Sequence, residues 1–201
     1  MEHQIAGFAV GYFRYLNELM RNLNVADIED FMYGLEVARV NNQTIFVVGN
    51  GGSASTASHI ANDIGMALEK VKNPGEPFRV MALTDNAALI TALGNDYGYE
   101  EVFVKQLAIH YKEGDMLVVI SASGNSPNVV KAAEWVRTRG GKVLGLLGFD
   151  GGVLQSKCDV AVTAKTPKGE YGPVEDVHLI LNHMFTAWLQ FRYRNAALSV
   201  S

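Results

Sequence analysis

The spacing of apolar positions lays out the elements. Within residues 4–22, Ile5, Phe8, Ala9, Tyr12, Phe13, Leu16, Leu19 and Met20 recur at helical intervals. This predicts an amphipathic helix with Arg14, Asn17, Glu18 and Arg21 on its wetter side. Ile28, Phe31, Met32, Leu35 and Ala38 predict a second helix over residues 26–40. The pair forms a helical hairpin ahead of the sheet. Its apolar faces pack either on the chain's own sheet or against a partner subunit, and the spacing alone does not choose between them.

From residue 44 the period changes. Thr44–Val48 is a β-branched strand ended by Gly49, and a helix follows over 53–68. Residues 70–77 form a polar loop with Pro74, Gly75 and Pro77, before a strand at Phe78–Leu83. Asn86–Leu93 and Tyr99–His110 read as helices separated by Gly94-Asn95-Asp96-Tyr97-Gly98. Met116–Ile120 is apolar throughout, as in a strand covered on both faces. Ser121–Pro127 is a loop, Asn128–Arg139 a helix, and Gly140-Gly141 its end. Strands at Lys142–Leu147 and Asp159–Thr163 flank a turn at Phe149–Gly152. After a polar stretch at 165–172, Pro173 opens a final helix to about Asn195 as its N1 residue. Strands alternating with helices predict an α/β, doubly wound parallel sheet flanked by helices. It is one domain of 201 residues, with 1–41 as the hairpin and 44–195 as the core.

Composition narrows the function classes. The 48% hydrophobic and 19% charged residues are ordinary globular usage. A net charge of −4 argues against a nucleic-acid surface. The single cysteine, Cys158, has no partner for an internal disulfide and no motif around it. It reads as a small packing residue, and a cytoplasmic location is expected. The apolar runs are too short and too interrupted for a signal peptide or a membrane span.

Three clusters carry candidate chemistry. Asn50-Gly51-Gly52-Ser53 is a strand-to-helix turn that offers N–H groups to an anion, although it matches neither the lysine-containing phosphate loop nor G-x-G-x-x-G. Ser121-Ala122-Ser123-Gly124-Asn125-Ser126 places three hydroxyls at the C-terminal end of a buried strand, where open α/β sheets bind ligands. Capping of the next helix explains Ser126 but leaves Ser121 and Ser123 without a task. The third cluster is ionisable. His59 and Asp63 are i, i+4 on one helix face. Glu175 and His183 lie eight apart on the final helix, with Asp176 and His178 beside them. Two histidines and two carboxylates suit zinc or another divalent ion, and equally suit general acid–base work. His3 and His110 read as ordinary histidines.

Taken together, these clusters resemble the sugar isomerase (SIS) domain family, and within it the phosphoheptose isomerases. The matching stretches are Gly49–Ser53 with His59, Gly94–Gly98, Ser121–Ser126, Gly148–Gly152, and the final helix with Glu175 and His183. The resemblance spans about the whole chain and implies a homotetramer with active sites between subunits. It implies substrate contacts at Asn50, Gly51, Gly52, Ser53, Asp63, Asn95, Asp96, Ser121, Ala122, Ser123, Ser126 and Glu175. It implies zinc held by His59, Asp63, Glu175 and His183, with Asp63 and His183 as base and acid. The expected reaction is aldose–ketose isomerisation of a phosphorylated sugar, most like sedoheptulose 7-phosphate, through an enediol. Asp63 stands where the family pattern has Glu, Glu175 where it has Gln, Ala122 for Thr, Ala67 for Arg, and Gly172 for an acidic residue. These departures keep two alternatives open. One is a different sugar phosphate. The other is a non-catalytic scaffold, like the family relative that binds a bacterial replication initiator.

Overall fold

In a computed structural model, which describes residues 4–71 and 74–198, five parallel strands form a single sheet in the order β2-β1-β3-β4-β5. The strands are β1 (Thr44–Gly49), β2 (Arg79–Ala82), β3 (Met116–Ser121), β4 (Val143–Gly148) and β5 (Val160–Ala164). Seven α-helices surround them: α1 (Gln4–Arg21), α2 (Val25–Val40), α3 (Gly52–Gly65), α4 (Ala87–Tyr97), α5 (Val102–His110), α6 (Pro127–Arg137) and α7 (Tyr171–Leu198). The doubly wound parallel class expected from the alternation is the observed one. His3 lies outside the described residues.

The period of two along each strand divides the core. Ile45, Val47, Met116, Val118, Ile120, Leu144 and Leu146 face one cluster with α2, α3 and α7. Phe46, Val48, Leu117, Val119, Val143 and Leu147 face the other, with α5 and α6. Polar side chains hold the strand starts. Asp115, buried beside β3, accepts the backbone N–H of Thr44 at 2.7 Å and of Lys112 at 2.8 Å. Asp159 accepts that of Val143 at 2.9 Å.

α7 is fixed along one face. Val174, Val177, Leu181, Phe185 and Leu189 are all buried, and Phe185 stacks on Phe31 with ring centroids 5.2 Å apart. Each such side chain contributes about 2 kcal/mol of burial free energy, so the polar groups on this helix are carried on a rigid support. The helix begins at Tyr171, two residues before the expected start at Pro173. Proline is tolerated there because the first-turn N–H groups have no intrahelical acceptor. A second boundary also differs. Gly94–Tyr97 continues α4 instead of breaking it, and the turn comes at Gly98, whose φ of 91° glycine adopts readily.

α1 leans on α7, with Tyr12 hydroxyl donating to Asp176 and Tyr15 hydroxyl to Glu170, each at 2.5 Å. Of its apolar stripe only Leu19 is buried, while Ile5, Phe8 and Phe13 are each more than 60% exposed. The chain's own sheet therefore does not cover that stripe. Among the described residues, no helix is long and apolar enough to cross a membrane.

Candidate active site

The strand order reverses direction between β1 and β3, and open α/β sheets hold ligands at the C-terminal ends of such strands. Gly49 pairs with Ile120 in the parallel register, so the Asn50 turn and the serine loop leave the sheet side by side. Between them lies a cavity of about 150 Å³. It is lined by Asn50, Ser53, Ser121, Ala122, Ser123 and Ser126, with Tyr171 and Glu175 from α7.

Donor accounting shows what the serines offer. Ser121 Oγ accepts the N–H of Gly124 at 3.0 Å, and Ser123 Oγ that of Asn125 at 3.3 Å. Each hydroxyl hydrogen is thereby left to donate elsewhere. Ser126 sits at the N-cap of α6, but its side chain makes no capping bond, so capping does not account for it. Gly124 has φ 62°, and a Cβ there would lie 1.9 Å from Gly151 O. Only glycine lets the 148–152 turn nest against the loop. Among the described residues, no lysine or arginine lines the cavity. An anion there would be held by hydroxyls and by the N-termini of α3 and α6.

α3 and α7 lie against each other and run in the same direction. At their N-terminal ends the Glu175 carboxylate rests on Gly52, where an added Cβ would fall 2.3 Å from Oε2. Two turns further along, His59 Nε2 lies 3.1 Å from Asp63 Oδ2, His183 Nε2 3.8 Å from the same oxygen, and the two histidine nitrogens 3.4 Å apart. Tetrahedral zinc with bonds of about 2.0–2.1 Å separates its donors by roughly 3.4 Å. The three donors therefore fit a divalent ion with one corner left open. His183 is more than half exposed and His59 two-fifths exposed, so the corner is reachable. Asp63 Oδ2 also accepts from Asn182 Nδ2 at 2.8 Å, and Oδ1 from Asn62 Nδ2 at 3.0 Å.

The remaining sequence candidates separate. Asn50, Ser53, Ala122 and the three serines share the cavity, and Gly51 and Gly52 form the turn beneath it. Glu175 lies at the cavity and not among the donors clustered at His59, Asp63 and His183. Asn95 and Asp96 pair with each other on the exposed end of α4 and do not line the cavity. Asp176 is engaged by Tyr12. His178 is fully buried, with Nε2 2.9 Å from Leu147 O, and desolvation lowers it to about 4. Desolvation raises the Cys158 thiol to about 12, so it packs and does not ionise. His110 is exposed at the end of α5. Three participants went unnoticed in the sequence: Asn182 on Asp63, and Asn128 and Tyr99 on Asn50. Only the nearness of Asn182 to His183, and of Asn128 to the serine loop, could have pointed to them.

The sheet, its polar switch-point cavity and the two helices leading from it define a doubly wound ligand-binding domain. The chain belongs to the SIS domain family, whose pattern matches residues 11–148. It is 38% identical over 161 residues to a phosphoheptose isomerase of Aneurinibacillus thermoaerophilus, covering 80% of this chain and 79% of the relative. It is 35% identical over 184 residues to that of Nitratidesulfovibrio vulgaris Hildenborough, covering 92% and 83%. The structure of a phosphoheptose isomerase from Neisseria gonorrhoeae superposes with a TM-score of 0.80 at 29% identity, over 94% of this chain and 97% of the other.

Proposed function

We propose that the protein is an aldose–ketose isomerase that interconverts sedoheptulose 7-phosphate and D-glycero-D-manno-heptose 7-phosphate. The observation that carries this reading is the layout of α3 and α7. They hold a hydroxyl-lined cavity with Glu175 at its mouth at one end and a His–Asp–His cluster at the other. Eight residues separate Glu175 from His183, about 12 Å along the helix, a span comparable to an extended sugar phosphate. The similarity to phosphoheptose isomerases supports the substrate.

In this reading Ser121, Ser123 and Ser126 hold the phosphate with the N-termini of α3 and α6. Asn50, Gly51, Gly52, Ser53, Ala122 and Glu175 contact the sugar. Binding energy far from the reacting carbons then serves to position them. His59, Asp63 and His183 would hold zinc through Nε2, Oδ2 and Nε2. Bound there, zinc would supply Lewis-acid stabilisation of negative charge on the sugar oxygens. Asp63 and His183 each keep one polar atom outside the donor triangle. Asp63 Oδ1 takes a proton from C1 of the ketose and returns it to C2. His183 Nδ1 gives a proton to O2 and accepts one from O1. The two oxygens of Asp63 thus divide the roles of ligand and base.

A homotetramer with active sites between subunits completes the reading. The exposed stripe of α1, and the groove of about 710 Å³ between α2 and α7 beside Tyr33 and Trp188, support such contacts. Asn95 and Asp96 would then serve a neighbouring subunit's site. The lone cysteine accords with a cytoplasmic setting.

The test is incubation of purified protein with sedoheptulose 7-phosphate, with and without added zinc, followed by detection of the aldose. Conversion is expected, and Asp63→Asn should abolish it while leaving phosphate binding in place. Absence of conversion by the parent protein at every zinc level would overturn the reading in favour of a scaffold or another sugar phosphate.

A further inference from the structure

Two buried or half-buried amides meet beside the cavity. Asn50 follows β1, and Asn128 lies in the first turn of α6 with 2% of its surface exposed. Asn50 Nδ2 donates to Asn128 Oδ1 at 2.9 Å, and Asn128 Nδ2 donates to Asn50 Oδ1 at 2.9 Å. The Tyr99 hydroxyl donates to Asn50 Oδ1 at 3.0 Å, and the backbone N–H of Val129 to Asn128 Oδ1 at 3.0 Å.

The Val129 contact fixes the direction of the whole chain of bonds. A backbone N–H only donates, so the Asn128 atom facing it is the oxygen. The Asn50 atom facing that same oxygen is therefore its nitrogen. Asn50 Oδ1 then receives both Asn128 Nδ2 and Tyr99, which uses both of its lone pairs. Among the described residues, the Asn50 side chain keeps one polar feature without a partner, the second N–H of Nδ2, and Asn50 lines the cavity.

We infer that Asn128 and Tyr99 are positioning residues that hold Asn50 as a pure donor. Asn50 then selects a substrate oxygen with a free lone pair and offers nothing to a donor group. A freely rotating asparagine would present either face. The clamp also ties together the β1–α3 turn, α6 and the 3-10 turn at Tyr99–Glu101, which come from three separate stretches of chain. This inference rests on the isomerase reading for the identity of the ligand.

The experiment combines a kinetic cycle with a measurement on the ligand-free protein. With sedoheptulose 7-phosphate as substrate, Asn50→Ala and Asn128→Ala should each raise KM about tenfold while kcat stays within about threefold, the signature of lost uniform binding. The double variant should be no worse than either single, because Asn128 acts only through Asn50. Tyr99→Phe, at an exposed position, removes one bond without threatening the fold and should raise KM about threefold. Independently, one side-chain amide proton on each of Asn50 and Asn128 should be protected from hydrogen exchange in the free parent protein, and the Asn50 proton should lose protection in Asn128→Ala. Additive KM effects, or rapidly exchanging amides in the parent protein, would overturn the clamp and leave the isomerase reading standing. Protected amides in a protein that fails to convert the sugar would overturn the isomerase reading and leave the clamp standing.

Discussion

Gly52→Ala places a methyl group where the Glu175 carboxylate now rests. The new Cβ would lie 2.3 Å from Oε2 and 2.4 Å from both Cδ and Oε1, whereas ordinary contact begins at 3.4 Å. The carboxylate must retreat by about 1 Å, and a misplacement of that size costs about a hundredfold in rate when the group positions a substrate. The backbone loses nothing. Gly52 is the first residue of α3, and alanine is preferred over glycine in helices by up to about 1 kcal/mol. kcat on sedoheptulose 7-phosphate should therefore fall about a hundredfold while the melting temperature holds within a few degrees. Adding Glu175→Asp shortens the displaced side chain by one methylene and should restore about tenfold. A Gly52→Ala enzyme with kcat within threefold of the parent would refute the placement of Glu175 at the sugar. A fall in melting temperature of about 10 °C would show that the collision is met by the helix and not by the carboxylate.

Two further outcomes concern the scaffold that carries the site. Burial lowers His178 to about 4 from its ordinary 6.5, so the unfolded chain takes up this proton first as the pH falls. Its effect on stability is absent above about pH 6.5 and grows as a loss from there down to about pH 4. It amounts to about 2 kcal/mol by pH 5. Urea titrations at neutral pH and at about pH 5 should show a decline smaller by that amount in His178→Gln, and an equal decline in both proteins would refute it. Asp115→Ala removes the acceptor for two backbone N–H groups, one at the start of β1 and one in the turn that leads into β3. It should cost about 3 kcal/mol and about 10 °C in melting temperature, with specific activity retained in the folded fraction. A variant that melts with the parent would show that water replaces the carboxylate.

What was legible in the chain follows from the range of the interactions involved. β3 could be read because a strand covered on both faces is apolar throughout, and β1 because its β-branched run ends at Gly49. The serine loop could be read because capping needs one hydroxyl and three were present; the structure then leaves even Ser126 without a capping bond. The stripe on α1 was equally plain, yet its covering was not, since periodicity shows which face is apolar and never what meets it. Asn128 and Asn182 stayed hidden for a different reason. An amide on a helix looks like solvated surface until the fold brings in its partner, 78 residues away for Asn50 and 119 for Asp63.

Glu175 shows where angular reasoning stops. Eight residues return a helix to nearly the same face, so Glu175 and His183 were grouped as ligands of one ion. The same eight residues advance the helix by about 12 Å, far more than the spacing between donors in one coordination sphere. Pairing across to α3 decides the matter: Glu175 meets Gly52 at the mouth of the cavity, and His183 meets His59 and Asp63 two turns on. Parallel packing of α3 and α7 turns one apparent four-ligand cluster into two stations along a line. One station is the hydroxyl-lined cavity; the other is the cluster of His59, Asp63 and His183. In the proposed isomerase, the Glu175 carboxylate places negative charge at the cavity that would take the phosphate. On that reading Glu175 should act more strongly on substrate binding than on the His59–Asp63–His183 cluster.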